Sequence, residues 1–286
     1  MGIRQVFIPL AFAFAIVSVI SSPLRATIIV FNDFASTTGL TLNGSTTTVS
    51  TLSDGTVLQL TNSLTNRRGS AFLSNQLNAT GFSTYFQFRT TGIGGGFPGV
   101  KGADGICFVA QNVSNTALGG LGLGIGYSGI VKSVAVEFDT WYNAGNADPD
   151  ENHVGFLRNG SVVHDPATSP SLPVTAQFDD GNVWSVWVDY NGTQLQLRAN
   201  QTGLRPTVAL LAMNVDIPAL LTGNSAYFGF TSGTGSSYGE HKILNWEMRD
   251  SYSPIDNNAV PEPGSIAITG LLALGGILRK KSNRHR

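Results

Sequence analysis

The feature that most restricts the fold is how short the apolar runs are. Between residues 27 and 250, Ser, Thr, Gly or Asn breaks each run within a few residues. Heptads and long Ala/Glu/Lys/Leu stretches are missing, which excludes a coiled coil and a helical bundle. Where a run can be followed it alternates. Val186, Val188 and Tyr190 interleave with Trp187 and Asp189 in Val183–Tyr190, as in a half-buried strand. Thr56–Thr61, Phe82–Arg89, Gly105–Ala110, Ser133–Thr140, Val154–Leu157, Gln194–Ala199, Ala226–Thr231 and Ile243–Met248 are strand-like too. Many strands, glycine-rich turns and no convincing helix predict an all-β sandwich or jelly roll. A hydrophobic content of 42% excludes a disordered chain. One such domain occupies ~200–250 residues, so the body needs no division.

The formal net charge of −1 conceals an asymmetry. Arg4, Arg25, Arg279, Lys280, Lys281, Arg284 and Arg286 lie at the two ends, whereas Glu262 is the only acid outside the body and linker. The rest holds ten basic and seventeen acidic residues, a net −7 without a basic stripe. A nucleic-acid partner is excluded, because it requires clustered Lys/Arg to displace counterions.

The ends describe a route. Met1–Arg4 and the apolar Val6–Ile20 have the form of a signal peptide, expected over 1–26 with cleavage after Ala26. The run is short for a spanning helix, which needs ~20 residues. Cys107 is the single cysteine, so no intrachain disulfide forms; its apolar run (Ile106–Ala110) marks it as core. Residues 251–259 read as a linker. Pro261-Glu262-Pro263, the apolar Gly264–Leu278 and a basic end follow. This order resembles the PEP-CTERM sorting signal of exopolysaccharide-producing Gram-negative bacteria. The resemblance implies processing by an exosortase, transient membrane association through the C-terminal segment, and a destination outside the cell or on its surface.

The segment richest in chemistry is 133–156. Alternation places Val134, Val136 and Phe138 on one face of a strand and Glu137 with Asp139 on the other. Two adjacent carboxylates repel, and burying them requires a counter-ion. Asn143, Asp148 and His153 follow in a loop rich in Asn, Gly and Pro. Asp139, Asn143 and Asp148 with a backbone carbonyl would suit Ca²⁺. Glu137, Asp139, Asp148 and His153 would suit a transition ion such as Mn²⁺. A solvated acidic turn would account for the same residues without a metal.

Glu137-x-Asp139-x-Trp141-x-Asn143, then Asp148-Pro149 and His153-Val154-Gly155, resembles the metal-binding segment of legume-type (L-type) lectins. Leu40–Gly44, Leu58–Thr61 and Gly69–Phe72 resemble the amino-terminal strands of that family. Ala103-Asp104-Gly105 and Gly119-Gly120 resemble its first and second sugar-binding loops, and Trp184–Leu197 and Tyr227–Trp246 its closing strands. The resemblance implies a concanavalin A-like jelly roll of two large antiparallel sheets. It implies Mn²⁺ on Glu137, Asp139, Asp148 and His153, and Ca²⁺ on Asp139, Asn143, Asp148 and the Trp141 carbonyl. It also implies a sugar site in which Asp104 accepts from two hydroxyls, Asn143 and the Gly120 N–H donate, and Trp141 stacks on the ring. A cis Ala103–Asp104 bond belongs to the same pattern. The loop over Gly233–His241 gives no specificity, and Glu240 and His241 near its end read as solvated.

The function implied is non-catalytic, metal-dependent binding of a carbohydrate or exopolysaccharide, with a homo-oligomer compatible with it. The rivals are a structural matrix protein of the same fold and a glycoside hydrolase. The hydrolase resemblance requires a second glutamate after Glu137-x-Asp139, where this chain has Thr140, Trp141 and Tyr142.

Overall fold

The computed structural model describes residues 2, 26–96 and 102–256. Nearly all of the expected signal peptide, the end of the linker and the Pro-Glu-Pro segment with its apolar stretch lie outside the described residues. In chain order the strands are β1 (Ile28–Phe31), β2 (Leu40–Gly44), β3 (Thr47–Thr51), β4 (Gly55–Thr61), β5 (Arg68–Leu73), β6 (Leu77–Asn78), β7 (Phe82–Gly95) and β8 (Gly105–Gln111). They continue as β9 (Ser133–Asp139), β10 (His153–Arg158), β11 (Ser171–Pro173), β12 (Trp184–Tyr190), β13 (Gln194–Asn200), β14 (Leu211–Asn214), β15 (Ser225–Gly233) and β16 (Ser237–Arg249). Every segment expected as a strand is one. β7 and β16 run further than the apolar pattern suggests, because Thr90–Gly95 and Ser237–Lys242 pair through the backbone with few apolar side chains to mark them.

The strands form two antiparallel sheets, giving the all-β, two-sheet jelly roll expected. The back sheet runs β14-β13-β12-β7-β16-β4-β3, with β1 also on β16. The front sheet runs β11-β10-β9-β8-β15-β5-β2, with β6 also on β15. Alternate residues of both sheets point into one core, where aromatic rings meet across the interface. Phe86 of β7 lies edge-on to Phe230 of β15 at 4.9 Å between centroids, and Phe88 packs on Phe138 of β9 at 5.1 Å. Such pairs contribute roughly 0.5–1.5 kcal/mol each beyond the area they bury.

A second, smaller core lies on the other side of the front sheet. Ile125, Tyr127 and Ile130, from the glycine-rich loop between β8 and β9, cover Cys107, Val109, Ala135 and Leu157. Cys107 is fully buried there, as expected. Gly126 makes the cover possible. Its φ is +66°, and a Cβ would meet the Ser232 carbonyl at 2.5 Å.

One short helix, α1 (Ile217–Leu221), was not visible in the sequence, since five residues show no period. Asp216 caps it by accepting the Ala219 N–H at 3.0 Å, and Pro218 lies in its first turn. The Tyr190 hydroxyl accepts the Ile217 N–H at 3.2 Å and anchors the helix to the back sheet.

Candidate functional site

The pleat of β9 places Val134, Val136 and Phe138 in the main core and turns Glu137 and Asp139 to the opposite face. Both carboxylates are buried. Antiparallel register then selects their neighbours. β10 sets His153 opposite Asp139 and Gly155 opposite Glu137, and β8 sets Gly105 opposite Asp139. The loop after β9 folds back over this row. Asp139 Oδ1 accepts the Trp141 N–H at 2.6 Å, and Asp148 Oδ2 accepts the Asn143 N–H at 2.7 Å. Residues separated by sixteen positions in the chain are thereby brought to one point.

Four polar atoms converge there. His153 Nε2 lies 3.5 Å from Glu137 Oε1 and 3.8 Å from Asp148 Oδ1. His164 Nε2 lies 2.6 Å from Glu137 Oε1 and 3.8 Å from Asp148 Oδ1. Asp139, Asp148 and His153 form an overlapping group whose ligand atoms are all within 4.8 Å of one another. His164 was not expected. It follows β10 in an irregular turn whose residues carry no spacing that would mark it. The chain has only four histidines, and pairing them against buried acids is the signal that would have found it.

Electrostatics follow from crowding in a dry place. Burial, with the neighbouring Glu137 charge, holds the Asp139 carboxyl well above the ordinary range, and burial raises Asp148 as well. Burial opposes ionisation of Glu137 too, but hydrogen bonds from His153 and His164 outweigh it and its pKa falls. His164 is pushed the other way: burial disfavours its charge, and the stronger pull of Glu137 raises its pKa. A site this rich in converging lone pairs is suited to cations. The buried Asn143 Oδ1 has no hydrogen-bond partner, as an oxygen ligand for a hard ion would be left without one. The donor set therefore fits an oxygen site beside a mixed nitrogen–oxygen site.

Next to it is a depression of about 350 Å³, lined by Asp104, Gly122, Leu123, Trp141, Asn143 and Gly235 among others. The Ala103–Asp104 peptide bond is cis. Asp104 is 5% exposed, its Oδ2 has no hydrogen-bond partner, and burial pushes its pKa up to about 7. Gly122 and Gly235 flank that carboxylate, 3.8 and 3.4 Å from Oδ2 as measured from where a Cβ would stand. Ser236 and Ser237, where β16 begins, complete this wall.

Two expectations need correction. Gly120 donates its N–H to the Ser128 carbonyl at 3.0 Å, so that donor is spent inside the loop, and Gly122 and Leu123 reach the depression instead. His241 is fully buried, not solvated. Its Nδ1 lies 2.7 Å from Thr61 Oγ1, and burial drives its pKa down to about 3. Glu240 is paired with Lys242 and Thr91.

A family model for the legume lectin domain matches residues 27–263. An L-type lectin-domain receptor kinase of Oryza sativa is 30% identical over 77% of this chain and 35% of its own length. A similar receptor kinase of Arabidopsis thaliana is 30% identical over 68% of this chain and 32% of its own. The chain thus spans about a third of these curated relatives. Among solved structures, basic winged bean lectin with Tn-antigen has a TM-score of 0.62 at 26% identity, covering 79% of this chain and 98% of that one. Peanut lectin gives 0.64 at 25% identity, covering 79% and 97%.

Proposed function

The chain belongs to the legume lectin domain family, and on that premise we propose an exported, metal-dependent protein that binds carbohydrate without turning it over. One observation carries the reading: the unpartnered carboxylate oxygen of Asp104 and the half-buried Asn143 and Trp141 share the wall of one depression beside the acidic site. Vicinal hydroxyls need acceptors and donors at such spacing, and the C–H face of a sugar ring needs an apolar plate. Asp104 accepts two hydroxyls, the Asn143 amide donates, and Trp141 stacks.

Glu137, Asp139, Asp148 and His153 would hold a transition ion, Mn²⁺ in the family resemblance. Asp139, Asn143, Asp148 and the Trp141 carbonyl would hold Ca²⁺. Bound cations supply the positive charge that lets these buried carboxylates ionise together. Asp148 is the hinge of the pair, with Oδ1 toward the histidines and Oδ2 on the Asn143 N–H. The loop that carries the sugar contacts is thus shaped by the same side chains that would bind the ions.

A single shallow site with few contacts implies a Kd on the order of 0.1–1 mM. Useful avidity then comes from several copies, in a homo-oligomer or on one repetitive exopolysaccharide. The terminal segments support export from a Gram-negative cell, a mature start near Thr27, and removal of the tail after Pro263 by an exosortase-type enzyme. Mass spectrometry of the native protein checks this; an intact tail ending at Arg286 in the cytoplasm defeats it.

The deciding experiment is a glycan array with Ca²⁺ and Mn²⁺, with and without EDTA. Retention that EDTA abolishes supports the lectin, and silence across a broad panel favours a structural matrix protein. Cleavage of an oligosaccharide would establish a hydrolase. Against that outcome, Glu137 is buried among histidines and does not face the depression.

A further inference from the structure

His164 is placed as a ligand would be, and both imidazoles of the site are oriented for the same task. His153 Nδ1 lies 3.0 Å from the Asp150 carbonyl, and His164 Nδ1 lies 3.2 Å from the Ser169 carbonyl. A carbonyl only accepts, so each Nδ1 carries the proton. That leaves Nε2 as the nitrogen each ring turns toward the acidic site. The two Nε2 atoms face each other at 3.2 Å, and the Glu137 carboxylate faces both. Backbone carbonyls holding the far nitrogens are the usual device that fixes metal-binding imidazoles.

The separation suits a shared centre. Two bonds of ~2.1 Å that span 3.2 Å meet at about 100°, between octahedral and tetrahedral angles. The fold also makes room for the second ring. Gly155 stands opposite Glu137, and a Cβ there would run into both the His164 ring and the Glu137 carboxylate. The His164 N–H donates to the Asn146 carbonyl at 2.8 Å, so the turn bearing the ring is tied to the acidic loop itself.

We propose that His164 is a direct ligand of the transition-ion site, and that two imidazoles make this site select a Zn²⁺-class ion over Mn²⁺. The proposal rests on the metal-dependent reading above and changes its chemistry. One imidazole among carboxylates suits Mn²⁺, whereas each added nitrogen favours the later metals of the divalent series.

The test uses the full chain, stripped with chelator and dialysed against equal Zn²⁺ and Mn²⁺ with Ca²⁺ in excess. Metal content is then measured by elemental analysis. The wild type should retain Zn²⁺ over Mn²⁺. His164→Ala and His164→Gln should lose Zn²⁺ affinity by at least about 10-fold, the lower end of what even supporting partners of a ligand cost. Mn²⁺ affinity should fall less, so the Zn²⁺:Mn²⁺ ratio drops while Ca²⁺ content holds. Pulsed EPR of the Cu²⁺-loaded wild type gives a reading independent of any variant, and two coordinated imidazoles are expected. A single imidazole, or an unchanged metal ratio in folded His164 variants, overturns the proposal while leaving metal dependence standing. A wild type that takes up no transition ion overturns both.

Discussion

Asp104 concentrates the tension of the site in one carboxyl group. Burial raises its pKa from 3.8 to about 7, so the folded state holds its proton more tightly than the unfolded chain does. The stability this group contributes is complete below pH 3.8 and is lost as pH rises through 7. Asp104→Asn should therefore make the ion-free protein more stable above pH 7, by up to roughly 4 kcal/mol, with little change near pH 4. Urea melts at the two pH values check it. The same variant should lose sugar binding and keep both metals, since Asp104 is not among the converging ligand atoms. Asn143→Ala should weaken Ca²⁺ and sugar together, a coupling that titration with each ligand would expose. Glu137, Asp139 and His153 could be foreseen because a strand's two-residue period and a short loop place them. His164 and Gly120 could not. The first sits in an irregular turn, and the role of the second depends on which carbonyl its N–H finds.

Elements fail or succeed as predictions according to whether packing leaves a periodic trace. The aromatic strands β7, β8, β9 and β15 do, since their inward residues alternate. The cover loop over the front sheet does not, because Ile125, Tyr127 and Ile130 are spaced irregularly among glycines. Yet this loop forms a wall of the depression through Gly122 and Leu123. Gly126→Ala should lift it, because both the left-handed φ and the Ser232 carbonyl oppose a side chain. A loss of about 2 kcal/mol or more is expected, accompanied by weaker sugar binding with the ligand sets of the acidic site intact. Metal content and calorimetry on the same sample separate these effects. For α1, Asp216→Ala should remove the cap on Ala219 and cost ~1 kcal/mol in urea unfolding.

For the whole molecule, the proposed ions would couple the acidic site to the stability of the fold. Ligands that bind only the native state stabilise it, by ~2.7 kcal/mol for each site at a hundredfold excess over Kd. EDTA should lower the melting temperature by about 5 °C or more, on a scale of roughly 2–4 °C per kcal/mol for a domain of this size. Asp139→Ala should reproduce that fall and make EDTA ineffective. Scanning calorimetry with and without chelator is the check. β16 adds a mechanical consequence. It begins at Ser237 in the wall of the depression and ends at Arg249, spanning about 40 Å. Along the way it is hydrogen-bonded to β7 on one side and to β4 and β1 on the other. With a sugar held by Asp104, Asn143 and Trp141 and the chain pulled at its C-terminal end, β16 would be drawn lengthwise against β7, β4 and β1. Its ladder bonds are loaded in shear, many at once. Pulling the two ends of the domain apart instead peels β1 from β16 one rung at a time, because Ile28 and Arg249 are partners in register. Single-molecule stretching should show a higher rupture force in the first geometry.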